Sequence, residues 1–391
     1  MNETSSRPMY EKIFDEVKQQ IVTQVYKVGE RIPSEKELAD AYNVSRITSK
    51  KALEMLAGEQ LIVRKPGRGS FVADPAVDFN EAEELNSVQY KTPARANKDI
   101  TTIGVVITDF GNSYGTGLIY GMEKASRDHD CFLVLRRSLG IPANEEVAIQ
   151  KMLDHGVDGL IVFPAQGEYF NAEILKLVIQ RFPLVLVDRY LKGVAAASIS
   201  TDNAAAAAKA TEYLFGLGHT HISFLSPPPD DTTAVEDRIE GFIQAHAQRG
   251  VIVDKGLWVN DLMSTLPDSF NDPNNVERDI ERLIDHLKQN PAITALFAIE
   301  YNIALLAKTA VERLGLQIPQ DISIVCFDSP PTHLGGGYSF THMRQNEEEM
   351  GGIAVENVLS IMNGQSVPNK IKLEATLVIG ESTGPANISR L

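Results

Sequence analysis

Arg46, Thr48, Ser49 and Lys50 fall within five residues of one another, directly behind Ser45. Side chains of these types, close together, can work on a nucleic-acid duplex. An arginine pairs bidentately with guanine, a threonine methyl touches thymine, and a lysine neutralises phosphate. A second basic cluster, Lys65-Pro66-Gly67-Arg68-Gly69, carries glycines that let a chain reversal approach a backbone closely. A different chemistry is scattered through the rest of the chain. Asp109, Phe110, Tyr114, Arg136, Arg137, Phe163, Arg189, Tyr190, Asp202, Arg238, Glu300, Tyr301 and Asp328 supply carboxylates, guanidinium forks and aromatic faces. Carboxylates and arginines hydrogen-bond vicinal hydroxyls, and aromatic rings cover the C–H faces of a sugar.

The first cluster needs elements to present it. Tyr10, Ile13, Val17 and Ile21 recur at helical spacing, so a helix is expected from residue 9 to about 26. Ser34 with Glu37 three residues on is a capping box that opens a second helix. Ser45 can cap a third, with Ala52, Leu53 and Leu56 inward and Arg46, Thr48, Ser49 and Lys50 outward. Leu61, Val63, Phe71 and Val72 then read as two short strands around the basic hairpin. Three helices and a hairpin in this order make a winged helix-turn-helix, whose recognition helix uses its N-terminal residues on base edges.

The second set needs a sheet. From Ile100 short, continuously apolar runs alternate with amphipathic helical stretches, the pattern of parallel strands covered on both faces. The strands expected include 103–107, 132–135, 159–163 and 184–187, then, in a second series beginning at Ser198, 222–225, 257–259, 295–298 and 322–327. Two doubly wound units leave a cleft at the carboxyl ends of their strands, where the second set of residues falls.

Composition bounds the rest. The 391 residues exceed what one core usually serves. The net charge of −15 is unevenly shared: residues 1–75 hold twelve Lys/Arg and eleven Asp/Glu, the remainder 25 and 41. The positive field is thus local, and the acidic remainder should sit away from phosphate. Residues 74–99 are polar, with Pro75 and Pro93, and read as a tether; a short helix around 81–88 is the alternative. No GxSxG, P-loop, HExxH or paired catalytic carboxylate motif appears, so no enzyme activity, cofactor or metal is expected. Cys131 and Cys326 read as buried thiols, His219 and His221 as structural, and Trp258 as core. The opening MNETSSRPMY lacks the order of a signal peptide and no run of eighteen apolar residues exists, so a cytoplasmic location is expected.

Residues 9–73 resemble the DNA-binding domain of the GntR family of bacterial transcription regulators. The resemblance rests on Pro33-Ser34-Glu35, Leu38-Ala39, Val44-Ser45-Arg46, Thr48, Ala52-Leu53 and Gly67 with Gly69-Ser70-Phe71-Val72. Ile32, Ser49 and Lys50 depart from the family pattern, and Lys50 offers a point charge where a planar guanidinium is usual. The resemblance implies DNA contacts from Arg31, Ser34, Glu35, Ser45, Arg46, Thr48, Ser49, Lys50, Lys65, Gly67 and Arg68.

Residues 100–391 resemble the LacI/GalR sensor domain, a relative of periplasmic sugar-binding proteins. The motifs are Gly156-Val157-Asp158-Gly159-Leu160-Ile161, Val187-Asp188-Arg189, Thr201-Asp202-Asn203, Leu217-Gly218-His219, Arg238-Ile239-Glu240-Gly241-Phe242, Pro319-Gln320-Asp321-Ile322 and Phe327-Asp328. By analogy Arg238 and Asp328 bind effector hydroxyls. Glu300-Tyr301 replaces the usual Asn-Asp, and Cys326 the usual glycine.

The expected architecture is α/β: a winged helix-turn-helix at 1–75, a linker at 76–98, and a two-subdomain, periplasmic-binding-protein-like (type I) doubly wound sensor at 99–391. Subdomain one would take about 99–191 and 345–367, subdomain two about 192–344 and 368–391, with crossings near Leu191, Gln345 and Pro368. A GntR-type reader on a LacI-type sensor resembles the arabinose-repressor-like regulators. This implies a homodimeric repressor of sugar-utilisation genes, with operator DNA and a small sugar as partners. The alternatives are a regulator of a different metabolite, such as a sugar phosphate or nucleoside, and a sugar-binding or sugar-modifying protein without operator binding.

Overall fold

A computed structural model describes residues 9–23, 25–27, 29–42, 44–58, 61–65, 69–72, 100–165, 171–228, 232–266, 269, 272–330 and 338–387. The chain divides into two compact units on either side of residues 73–99, and the tether or helix expected there lies outside the described residues.

The first unit holds α1 (Met9–Val22), β1 (Arg31–Ile32), α2 (Glu35–Tyr42), α3 (Arg46–Gly58), β2 (Ile62–Lys65) and β3 (Gly69–Val72). Helix α1 stops four residues short of the expected end. The three strands form an antiparallel sheet in the order β1-β3-β2. Ile13, Phe14 and Val17 of α1 meet Leu38, Ala52, Leu53 and Leu56 of the next two helices, with Ile32, Ile62 and Val72 closing the core. The capping box forms in both directions: Glu37 N–H donates to Ser34 Oγ at 3.3 Å, and Ser34 N–H to Glu37 Oε2 at 2.7 Å. Ser45 Oγ accepts from Thr48 N–H at 3.2 Å and fixes the start of α3.

The second unit has two lobes. Lobe one is built on β4 (Thr101–Ile107), β5 (Cys131–Arg137), β6 (Gly159–Val162), β7 (Leu184–Val187), β8 (Ala197–Thr201) and, from the distal chain, β14 (Lys370–Leu373). They form one parallel sheet in the order β14-β8-β7-β6-β4-β5. Alternate residues of the same strands feed separate cores. Ile103, Val105, Ile161 and Val185 pack with α4 (Thr116–Asp128) and α11 (Glu347–Met362); Val106, Leu160, Val162 and Leu186 pack with α5 (Pro142–His155) and α6 (Ala172–Ile179).

Lobe two carries β9 (Ile222–Leu225), β10 (Trp258–Val259), β11 (Ala295–Ala298), β12 (Ser323–Phe327), β13 (Thr341–Arg344) and β15 (Thr376–Val378), in the order β10-β9-β11-β12-β13-β15. All pairs are parallel except β13 with β15. Helix α7 (Asn203–Gly216) packs on α8 (Thr233–Arg249), and α9 (Pro273–Gln289) on α10 (Tyr301–Arg313). The core centres on Phe224, Phe242 and Phe297, and Trp258 lies against Phe224 at 5.4 Å as a core residue.

Two of the three expected crossings move. β8 pairs with β7, so the chain leaves lobe one after Thr201, not near Leu191, and the second series does not begin at Ser198. β14 pairs with β8, so the last crossing falls between Leu373 and Thr376, not near Pro368. The remaining crossing falls at Gln345, between β13 of lobe two and α11 on lobe one.

Close helix contact requires glycine at Gly241, where a Cβ would lie 2.0 Å from the Ala204 carbonyl oxygen. Gly216, at the end of α7, has open space around it. Gly241→Ala should therefore lower the denaturant midpoint, at a cost of about 1–3 kcal/mol from overpacking. Gly216→Ala should leave the midpoint unchanged or raise it, by up to ~1 kcal/mol of helix propensity. Equal effects of the two would contradict this packing.

Candidate effector cleft and DNA-reading helix

In the first unit, Arg46 opens α3 and is exposed, as is Lys50 one turn on. Thr48 is half-buried with its Oγ1 2.9 Å from Ser45 Oγ. Ser49 does not face outward. It is fully buried, and its hydroxyl donates to the Glu35 carbonyl at 2.7 Å, tying α3 to the start of α2. Ser34 and Glu35 sit at that same helix start, Ser34 as the cap. Arg31 is exposed on β1 and pairs with Glu37 at 3.3 Å. Lys65 ends β2 with its side chain outside the described residues, as are Gly67 and Arg68 entirely.

In the second unit, a cavity of about 390 Å³ opens between the lobes at the carboxyl ends of their strands. Lobe one contributes Asp109, Phe110, Ser113 and Tyr114 after β4, Phe163 after β6, and Asp188 and Arg189 after β7. Lobe two contributes Thr232, Val235 and Arg238 around the start of α8, Ile299, Glu300 and Tyr301 after β11, Asp328 after β12, and Gln345 after β13. Most of these side chains follow a strand end, the place where open α/β sheets take ligands, and Thr232, Val235 and Arg238 come from the start of α8.

Arg238 is the buried centre of the lobe-two wall. Its Nε donates to Asn203 Oδ1 at 2.8 Å and its Nη1 to the Ile299 carbonyl at 2.6 Å. The guanidinium lies 3.8 Å from the Phe327 ring centroid. Burial lowers its pKa, and Asp328 and Asp188 oppose that shift. Asp328 accepts from Gln345 Nε2 at 2.8 Å, and Gln345 Oε1 accepts from Thr201 Oγ1 at 2.6 Å. Burial pushes the Asp328 carboxyl up to about 8, against the pull of Arg238.

Across the cavity, Tyr114 donates its hydroxyl to Asp188 Oδ1 and meets Phe163 edge-on at 6.4 Å. Burial and the Asp188 charge raise the Tyr114 pKa well above its ordinary value, so it stays a neutral donor. Arg189 Nε lies 3.4 Å from Asp188 Oδ2, Nη1 donates to the Pro164 carbonyl at 3.3 Å, and the guanidinium covers Phe163 at 5.0 Å. Asp188 and Asp328 both have left-handed backbones, φ +66° and +60°, a strain that concentrates at ligand-holding positions. The loop bearing Tyr114 is held by Glu347 Oε2, which accepts from Gly115 N–H at 2.7 Å.

Of the sequence-derived residues, the cavity brings together Asp109, Phe110, Tyr114, Phe163, Arg189, Arg238, Glu300, Tyr301 and Asp328. Four others lie elsewhere. Arg136 and Arg137 belong to β5, which runs on as far as its partner Ile107, and Arg137 pairs with Asp109 at 2.9 Å. Asp202 caps α7 and pairs with Lys372 at 3.1 Å. Tyr190 turns to α8 and donates to Asp237 Oδ1 at 3.1 Å. Asp188 and Gln345 were missed; Asp188 is a polar residue just after the apolar β7, whereas Gln345 follows Thr-His-Met-Arg, which gives no such signal. His219 is buried between Thr294 Oγ1 and the Gly384 carbonyl, a structural role. Among the described residues no helix is long and apolar enough to cross a membrane, and no cluster of three metal-ligating residues occurs.

Comparison with known proteins agrees with both units. Residues 9–72 match the family of bacterial regulatory proteins designated gntR, and residues 211–383 match a periplasmic binding protein-like domain. The chain is 28% identical to the arabinose metabolism transcriptional repressor of Geobacillus stearothermophilus, over 92% of this chain and 93% of that protein. It is 24% identical to the protein of the same name from Halalkalibacterium halodurans, over 96% and 97%. Among solved structures, the transcription regulator CcpA of Lactococcus lactis matches with a TM-score of 0.62 at 20% identity, covering 73% of this chain and 99% of that one. The transcriptional regulator CelR–cellobiose complex matches with a TM-score of 0.63 at 18% identity, covering 90% and 100%.

The buried Asp328 yields a pH prediction. A carboxyl whose folded pKa lies above its unfolded value favours folding fully at pH below the unfolded value of about 4. That contribution is lost as pH rises toward 8. Between pH 5 and 9 the denaturation midpoint of Asp328→Asn should rise relative to wild type. A pH-independent difference between the two would show that Asp328 titrates normally.

Proposed function

The chain joins a GntR-type helix-turn-helix domain to a LacI-type, periplasmic-binding-protein-like domain, and from that premise we propose that it is a DNA-binding repressor of sugar-metabolism genes whose operator affinity is set by a small neutral sugar in the cleft. The full-length relatives are named as transcription regulators, so the chain is a regulator and not an enzyme. Arabinose or another pentose is the effector we favour, on the names of the two repressors similar along nearly the whole chain.

The observation that carries the ligand class is the hydrogen-bonding character of the cavity wall. Asp109, Asp188, Glu300 and Asp328 stand against Arg189 and Arg238. Carboxyl groups accept from hydroxyl groups, and both guanidinium groups are already engaged, by Asp188 and by the Pro164 and Ile299 carbonyls, so neither stands free to clamp a phosphate. Phe163 and Phe110 offer flat apolar faces beside them. The volume, about 390 Å³, falls at the small end of the range for small-molecule sites.

In the DNA-bound form, two copies present their α3 helices to a pseudo-palindromic operator, with Arg46 and Thr48 on base edges and Lys50 on phosphate. Sugar closes the cleft and weakens the DNA-competent arrangement, with a coupling of about 1–3 kcal/mol. Operator binding falls steeply with salt as phosphate contacts release counterions.

Two substitutions separate the units. Arg46→Ala should abolish discrimination between operator and random duplex in a gel shift, while calorimetric titration with arabinose is unchanged. Arg238→Ala should weaken arabinose binding at least tenfold while operator affinity without sugar is kept. Loss of both activities in either variant would refute the division, and absence of binding by any pentose or hexose to wild type would refute the ligand class.

A further inference from the structure

Tyr190 stands one residue from the cavity wall yet does not line it. The segment from Tyr190 to Lys192, in lobe one, instead reaches the first turns of α8, in lobe two. Tyr190 donates to Asp237 Oδ1 at 3.1 Å, and the Tyr190 carbonyl accepts from Thr233 Oγ1 at 3.1 Å. Lys192 pairs with Glu236. Lys370, from β14 of lobe one, lies 3.2 Å from the Tyr190 ring centroid, and with Lys372 it favours the ionised form of Asp237. A cationic rim on lobe one thus meets an anionic rim on lobe two.

Helical geometry separates this contact from the ligand. Ala234, Val235 and Arg238 share one face of α8 and line the cavity. Thr233, Glu236 and Asp237 fall on the neighbouring face and carry the contact. Residues one and four apart on a helix move as one body, so seating Asp237 on Tyr190 also seats Arg238. Asp237 is itself mostly buried, so its hydrogen bond is made away from bulk water.

We propose that Tyr190 and Asp237, flanked by Lys192–Glu236 and Thr233, are positioning residues that latch the two lobes closed and set affinity and release rate without touching the ligand. The latch deepens the sugar-sensing reading for its effect on affinity, whereas its effect on closure is independent of which ligand the cleft takes. Opening the lobes breaks all three contacts, and each hydroxyl or carboxylate then returns to water. The net value of each contact is small, so the latch biases the lobes toward closure without locking them, and sugar completes the shift.

The test uses the full chain carrying spin labels on cysteines placed at Ile179 in lobe one and Ile252 in lobe two, both highly exposed, while native Cys131 and Cys326 are buried. Tyr190→Phe and Asp237→Ala should shift the inter-lobe distance distribution toward longer separations, with melting temperature unchanged. Asp237→Asn, which can still accept from Tyr190, should keep the wild-type distribution. In arabinose titrations the first two variants should lose about two- to tenfold in affinity, the worth of one part-buried hydrogen bond, through faster release. A wild-type distance distribution in both Tyr190→Phe and Asp237→Ala overturns the latch, whatever the sugar data show. If wild type binds no sugar, the distance measurement still decides the latch, and only the sugar-sensing reading fails.

Discussion

The two-lobed unit depends on how the Arg238 guanidinium is held out of water. Removing a full charge from solvent costs many kcal/mol unless its donors are met and a counter-charge lies near. Here Asn203 and the Ile299 carbonyl take two donors, the Phe327 ring takes one face, and Asp328 and Asp188 lie near enough to oppose the effect of burial. The lobe-two partners come from the start of α7 and the ends of β11 and β12, so one side chain fixes three elements of lobe two. Asp328 passes the constraint on. It is hydrogen-bonded to Gln345, which is hydrogen-bonded to Thr201, and those two residues stand at two of the three crossings between lobes. The polar wall of the cleft and the hinge are therefore one connected network.

The same network explains why the wall suits hydroxyl groups. Tyr114 and Asp188 pair across lobe one, and Arg189 covers Phe163, so the donors and acceptors around the cavity are oriented before anything binds. A neutral polyol exchanges its water hydrogen bonds for these without a change of charge. An anion would have to compete for the two guanidinium groups, which are already engaged with Asp188, Asn203 and backbone carbonyls. Preorganisation of this kind reduces the ordering cost of binding.

Much of this was legible in the chain itself. Continuous apolar runs such as 159–162 and 184–187 announced parallel strands, and the polar residues just beyond them located most of the cleft. The errors have physical causes. Arg136 and Arg137 look like a strand end, but β5 is an edge strand, and its pairing with Ile107 carries both into the sheet. β8 reads Ala-Ser-Ile-Ser-Thr, too polar to advertise a buried strand; Ser198 donates to the Asn369 carbonyl, from a segment 171 residues away, and Thr201 to Gln345. That long-range pairing moved the crossing from Leu191 to beyond Thr201. Ser49 fails in the opposite sense: a hydroxyl looks outward-facing in sequence, yet it is buried because the Glu35 carbonyl accepts from it.

The energies involved are of one scale. Shifting a two-state equilibrium by a hundredfold takes about 2.7 kcal/mol of differential binding. A few part-buried hydrogen bonds, each worth about 1 kcal/mol net, suffice on either side of that balance. Arg238 and Asp328 on lobe two face Asp188 on lobe one, so a small rotation of the lobes changes the separation across the cleft. A ligand that bridges them gains most when the lobes are closed, so its binding energy is converted into a choice of lobe orientation. A wall built on one lobe alone would bind as tightly and move nothing; the polar groups of this cleft are distributed over both lobes, which is what a sensor requires.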